Sequence, residues 1–337
     1  MSDKVKIGLI GTGRIGQVHA ASIAALPETT LRWVCDPFVE SAEAMAQKYE
    51  GARVTTDPRE VLESGDVDAI IVASPTPTHV DLISAAIDAG VPVLCEKPID
   101  LDIARVDALR EKARSATVPV VLGFNRRFDP HFAELHRRVA RGDIGPLEQL
   151  TITSRDPAPA PAAYIRDSGG IFRDMTIHDF DMTRFFVPDI VEVTARGAQQ
   201  FSSDIAAAGD YDAVVVTLRG ARGELITIIN SRHCAYGYDQ RIEAFGAGGL
   251  LQVGNVGPTV VRAYGAESVE GAAPYHTFFL QRYAEAYRLE LAAFVDAIHG
   301  RPSTSPGFED GRAALILADA AVRSAAEGIS VDVDLNT

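Results

Sequence analysis

The stretch "VKIGLIGTGRIGQVHAASIAALP" (5–27) constrains the fold more than any other. A short apolar run ends directly in glycines at positions 11, 13 and 16. Apolar residues at helical spacing follow and stop at Pro27. A strand must therefore turn tightly into a helix, and only glycine allows so close a turn. The same alternation continues to about residue 125. "LRWVCD", "VDAIIVASP", "PVLCEKP" and "PVVLGFN" read as strands, with helical spacing in "ESAEAMAQKY", "HVDLISAAIDAG" and "IARVDALREKARSA". Strands alternating with helices give βαβ units, and runs as apolar as "AIIVA" suit parallel strands covered on both faces. The prediction for residues 1–125 is an α/β domain with a doubly wound parallel sheet.

The glycines Gly11, Gly13 and Gly16, with Arg14 and Ile15 between them, have G-x-G-x-x-G spacing. The motif alone is weak. Its position between a strand and a helix makes it a dinucleotide site, where the pyrophosphate meets the helix N-terminus. Asp36 ends the second strand, 20 residues after Gly16. A carboxylate there hydrogen-bonds the ribose hydroxyls and repels a 2′-phosphate. "PFVE" after it supplies no Arg or Lys, so NAD is favoured over NADP. Pro75, Thr76 and His79 follow the third strand-like run at the edge where ligands bind, and are read as lining the cofactor. The competing reading of His79 is a helix-capping loop with Thr78 as N-cap.

After residue 125 the rhythm changes. One helix is predicted at "PHFAELHRRVARGDIG", then strands at "LEQLTITSR", "IVEVTARGAQ", "YDAVVVTLRG", "GELITIINSRH", "QRIEAFGAGG", "LLQVG" and "TVVRAYG". Glycine turns such as "LRGARGEL" join several of them, a hairpin pattern. Two helices close the chain. Residues 126–337 thus read as an α+β domain with an open antiparallel sheet. The charge of −14, from 32 basic and 46 acidic residues, argues against nucleic acid and anionic membranes. The three cysteines, Cys35, Cys95 and Cys234, are scattered, so no structural metal site is expected, and reduced thiols suit the cytoplasm. No apolar run reaches membrane-spanning length.

Two segments carry candidate chemistry. Lys97 in "CEKP" ends a strand at the ligand edge, where an ammonium stabilises a developing oxyanion and Glu96 orients it; a solvated strand-end lysine is the alternative. In "RDMTIHDFDM", Asp174 and His178 stand at i and i+4 and share a helix face. Histidine accepts a hydroxyl proton near neutral pH, and a neighbouring carboxylate orients the ring. Hydride loss to NAD and proton loss to a base together oxidise an alcohol. An exposed Asp–His pair is the alternative, and Asp181 is read as a structural neighbour.

"GTGRIG", "CEKP", "GFNRRFDP", "SGGIFRDMTIHDFDM", "YGYDQRIE" and "FLQRYAEAYRLELAAFVDAI" resemble the glucose–fructose oxidoreductase/inositol dehydrogenase family, most closely its bacterial inositol 2-dehydrogenase branch. The resemblance covers nearly the whole chain. It implies a Rossmann domain with Glu96 and Lys97 at the cofactor, then an open sheet that builds the substrate site and a homotetramer interface. It implies Lys97, Asp174 and His178 as the catalytic set, His178 being the general base. Arg126 or Arg127, Asp156 and Tyr236 or Tyr238 would hold the polyol ring. Asp156 stands where some relatives have Asn, which leaves its contact open. The implied reaction is oxidation of myo-inositol to the 2-keto inositol. Alternatives are scyllo-inositol, another isomer or an aldopyranose as substrate, or a non-catalytic NAD-binding sensor.

Overall fold

The computed structural model describes residues 4–49, 51–267 and 269–336. Two compact units emerge. The chain up to Phe128 together with Glu285–Leu315 forms one, and Asp129–Ala284 together with the chain from Ile316 onward forms the other.

In the first unit, strands β1 (Val5–Ile10), β2 (Thr29–Cys35), β3 (Arg53–Thr55), β4 (Ala69–Val72), β5 (Val93–Glu96) and β6 (Val120–Gly123) form one sheet in the order β3-β2-β1-β4-β5-β6. Every pairing is parallel. The strand order reverses between β1 and β4, so the crevice for a ligand opens at their carboxyl ends. Helices α1 (Arg14–Ala25), α2 (Val39–Lys48), α3 (Pro58–Glu63), α4 (His79–Ala89) and α5 (Ile103–Arg114) complete the crossovers. Both β3 and α3 are absent from the sequence reading. β3 has only three residues and pairs on one side, so it leaves no apolar run. α3 rests on its ends: Asp57 accepts from Arg59 N at 2.9 Å and Pro58 opens the first turn.

Ile7, Leu9, Ile23, Ile71 and Leu94 are buried in one core with Leu291, Phe294 and Val295. Those three belong to the helix Ala284–Ile298. Hence a segment from beyond residue 280 returns to the first unit, and the division does not follow one cut at 125/126. Only the burial of that helix's apolar face reveals the return.

In the second unit, α6 (Pro130–Ala140) precedes β7 (Leu147–Arg155). β8 (Ile190–Ala198), β9 (Ala213–Gly220), β10 (Leu225–Ser231), β11 (Asp239–Gly246) and β12 (Gly249–Val253) then join β7. With the short strand Val331–Asp332 they form a seven-stranded sheet. Its order is β12-β11-β7-β10-β9-β8 with the short strand outermost. The pairings are antiparallel except β7 with β10, which is parallel, so the sheet is mixed. Burial alternates along β9: Val214, Val216 and Leu218 are buried while Val215 is 46% exposed. One face is thus left open, as period-2 patterning requires. "TVVRAYG" does not join this sheet. It contributes only Arg262–Ala263, paired with Gly271–Ala272, and Val260 is 92% exposed. Its β-branched residues have strand propensity but no face to bury.

"RDMTIHDFDM" is not one regular α-helix. Phe172–Thr176 forms a π turn, and an α-helix, α7, follows over Ile177–Phe186. Asp174 therefore lies in the π turn and His178 in the first turn of α7, so α-helical spacing does not set their relation.

Candidate active site

The two units each hold one set of candidate groups. In the first unit the glycine turn has a distinct requirement at each glycine. Gly11 has φ +98°, and a Cβ there would lie 2.6 Å from the backbone of Ala73 and Ser74. A Cβ on Gly16 would lie 2.1 Å from Gly11 O, so helix and strand approach only without one. Gly13 caps α1 with no side-chain hydrogen bond and has open space around its Cα. Gly13 and Arg14 are exposed and Ile15 is half-buried. An N-terminus left uncapped beside open space is a seat for an anion. Asp36 comes to the same turn: Thr12 N and Oγ1 donate to its Oδ2 at 2.9 and 2.7 Å, and Phe38 N donates to Oδ1 at 3.0 Å. Turn and acid fit a dinucleotide, the turn for the pyrophosphate and the carboxylate for ribose hydroxyls. Pro75 is exposed and Thr76 half-buried just beyond β4, next to Ser74, which packs against Gly11.

His79 does not present its ring to a cofactor. It is buried, with Nδ1 at 2.8 Å from Pro98 O and Nε2 at 2.8 Å from Ser74 O. The imidazole ties the loop after β4 to the loop after β5. The capping alternative also differs, since Thr78 Oγ1 donates to Pro75 O rather than capping α4. Glu96 is buried against His19 Nε2 at 2.8 Å, linking β5 to α1. Lys97 follows it, half-buried. Arg126 is buried, and Arg127 donates to Asp310 at 3.0 Å.

In the second unit Asp174 and His178 are half-buried, whereas Met175, Thr176, Ile177 and Asp179 between and beside them are buried. Asp174 Oδ1 accepts from Tyr164 Oη at 2.8 Å, and Oδ2 pairs with Arg232 at 3.4 Å. The turn carrying His178 is bolted to the sheet from below. Asp179, fully buried, accepts from Ser154 Oγ on β7 and Asn230 Nδ2 on β10, each at 2.7 Å. Thr176 Oγ1 donates to Asn230 Oδ1 at 2.6 Å. A buried carboxylate needs such donors, and here they fix the helix that carries His178. Asp181 is fully buried too, in keeping with a structural place.

Tyr236 donates to Asp239 at 2.8 Å and accepts from Arg155 at 3.0 Å. Partial burial, then the Asp239 hydrogen bond, pushes its phenol up to about 12, so the side chain is a neutral hydroxyl. Tyr238 is buried against Tyr283 instead. Asp156 directly follows β7, its N–H donating to Ser231 O at 2.9 Å. Asp179, Asn230, Ser154 and Arg232 escaped sequence reasoning. A signal existed: Ser154 extends the inward row Leu150, Ile152, and Asn230 extends Ile226, Ile228, so both polar groups fall on the core face.

Among the described residues no group of three or more His, Cys, Asp and Glu is arranged to hold a metal. Nor is any helix among them long and apolar enough to cross a membrane.

Comparison with known proteins agrees with both units. Residues 5–124 match the oxidoreductase family with an NAD-binding Rossmann fold, and residues 132–252 match the GFO/IDH/MocA C-terminal domain. An inositol 2-dehydrogenase of Rhizobium meliloti (strain 1021) is 45% identical over 330 residues, 98% of this chain and 99% of that protein. The crystal structure of a myo-inositol dehydrogenase from Corynebacterium glutamicum ATCC 13032 superposes with a TM-score of 0.95 at 57% identity, covering 98% and 99% of the two chains. That of scyllo-inositol dehydrogenase from Lactobacillus casei with bound NAD(H) and scyllo-inositol gives 0.91 at 28% identity, covering 98% and 99%. With a glycine turn on a parallel sheet in one unit, a mixed sheet in the other, and matches across both, the chain belongs to the GFO/IDH/MocA oxidoreductase family.

Proposed function

We propose that the protein is an NAD-dependent inositol 2-dehydrogenase that oxidises myo-inositol to the 2-keto inositol. The observation that carries the reading is Asp36 anchored on the glycine turn by Thr12, in a chain aligned over 98% of its length with an inositol 2-dehydrogenase. The turn holds the pyrophosphate, Asp36 takes the ribose hydroxyls, and Pro75 and Thr76 line the same edge. Bound NAD supplies the hydride acceptor. His178 is the general base. Its half-buried ring, on the first turn of α7, takes the substrate hydroxyl proton. Asp174 supports that proton transfer, and Lys97 stabilises negative charge on the substrate oxygen. Arg127, Asp156 and Tyr236 are the polyol-ring contacts. Tyr236, a neutral phenol, suits a ring of uncharged hydroxyls.

Scyllo-inositol is the second substrate reading, favoured by the likeness to the Lactobacillus casei scyllo-inositol enzyme. Purified protein with NAD and a panel of inositols and sugars, followed by NADH absorbance, tests both. Turnover is expected with myo-inositol above other polyols; NAD binding with no turnover on any polyol would leave a sensor. The expected assembly is a cytoplasmic homotetramer formed through the open sheet face, which exposes Val215, Leu225, Phe245 and Leu250. A monomer by light scattering would remove that expectation.

A further inference from the structure

Arg232 is the first residue beyond β10 and among the largest fully buried side chains, 1% exposed. Burying a guanidinium is costly unless carboxylates and hydrogen bonds compensate. Two carboxylates flank it: Asp174 Oδ2 at 3.4 Å and Asp210 Oδ2 at 3.2 Å. Asp210 also accepts from Ile171 N at 2.9 Å, the residue that leads into the π turn. Gly170, at φ +83°, lets the backbone close against it, since a Cβ there would lie 2.9 Å from Asp210 Oδ1. One buried cation thus gathers the entry to the π turn, through Asp210, and Asp174 within it. Arg232 N donates to Asp212 O at 2.8 Å, which fixes the base of the side chain.

Most buried polar groups find partners, and two of this guanidinium's nitrogens do so with carboxylates. Here Nε is buried with no partner among the described residues. Apolar residues of similar size often stabilise a core as well as a buried ion pair does, so the weight of the argument lies in what this guanidinium touches, the carboxylate of Asp174 and that of Asp210 at the entry to the π turn. Asp174 is held from inside by the buried Arg232 and from outside by Tyr164, which is 51% exposed. The inner contact sets the carboxylate's orientation through Oδ2, while Oδ1 accepts from a surface donor.

We infer that Arg232 is a positioning residue for proton transfer, acting through Asp174; this rests on Asp174 being part of the catalytic set. A double-mutant cycle tests it, using Arg232→Met and Asp174→Asn alone and together, with kcat, KM for inositol, NAD affinity and Tm measured on the full chain. Arg232→Met is expected to lower kcat by about 100-fold, within the usual contribution of acid–base catalysis, while NAD affinity stays within about 2-fold. In the Asp174→Asn background the same change should cost less than about 3-fold, because residues acting as a unit are not additive. Arg232→Lys, which keeps the charge but not the planar fork, serves as a second cycle if Arg232→Met does not fold. It should lose about 10-fold in the native background and little in Asp174→Asn. Equal losses in both backgrounds, or a lowered Tm with kcat unchanged, would overturn the role of Arg232. Wild-type kcat in Asp174→Asn itself would instead remove the catalytic reading of Asp174, and this proposal with it.

Discussion

The glycine turn of the first unit and the turn proposed to handle the proton in the second are built from different materials. Asp36 is held largely by backbone: Thr12 N, helped by its hydroxyl, and Phe38 N. Asp174 and Asp179 are held by side chains alone among the bonds described above: Tyr164, Arg232, Ser154 and Asn230. A backbone-built site depends on glycines and on one acid, so it recurs wherever strand, turn and helix recur. A side-chain-built site depends on several residues far apart in sequence, so it can be retuned one contact at a time. Binding of a common cofactor suits the first construction, and reaction with a particular substrate suits the second.

This contrast predicts separable phenotypes. His178→Ala should lower kcat by about 10²- to 10⁴-fold. NAD affinity, measured by titration, should barely move, and a large loss of NAD binding would break the separation. Asp36→Ser should do the reverse, shifting the NAD-to-NADP preference by about 10-fold or more through loss of the ribose contact and of repulsion toward a 2′-phosphate. Inositol KM at saturating cofactor should hold, and unchanged cofactor selectivity would show that Asp36 is not the ribose ligand.

The smallest effect concerns Asp212, which accepts from the N–H groups of Gln200, Phe201 and Ser202 and so repeats the backbone construction within the second unit. Burial pushes its carboxyl up, but these three backbone donors, with His233 nearby, outweigh it and hold the group below its ordinary value. The folded state therefore binds this proton less readily than the unfolded state. The resulting stability is complete above about pH 4, the ordinary aspartate range, and is lost as pH falls through the lower folded value. Asp212→Asn should cost on the order of 1 kcal/mol at neutral pH, with the gap narrowing in acid, as read by urea unfolding at both. A gap independent of pH would mean that its charge contributes nothing.

Much of the first unit was legible because its signals are local. The apolar run Val5–Ile10, the glycines behind it and Asp36 at the next strand end all act within one βαβ unit. His79 shows the limit. Its place at the ligand edge was readable, but its ring turned out to bridge Ser74 and Pro98, 19 residues away along the chain. The return of Leu291, Phe294 and Val295 to the first core was illegible for the same reason, since an amphipathic helix does not state which core it enters. In the sheet, alternation revealed strands and the open face but not the parallel β7–β10 pair, because period-2 patterning is blind to strand direction.

The sequence by itself determined the glycine turn, its acid, the alternation of the longer strands and helices in the first unit, and the presence of an aspartate and a histidine four residues apart. Each is written in neighbouring residues whose conformational preferences and periodicity act over one or two turns of chain. Only the tertiary structure decided that Asp174 sits in a π turn. It alone placed Arg232, 58 residues away, beneath that carboxylate, and joined Asp179 to Ser154 and Asn230. Those arrangements follow from the need to satisfy charges buried where distant segments meet, and no local pattern specifies which segments meet.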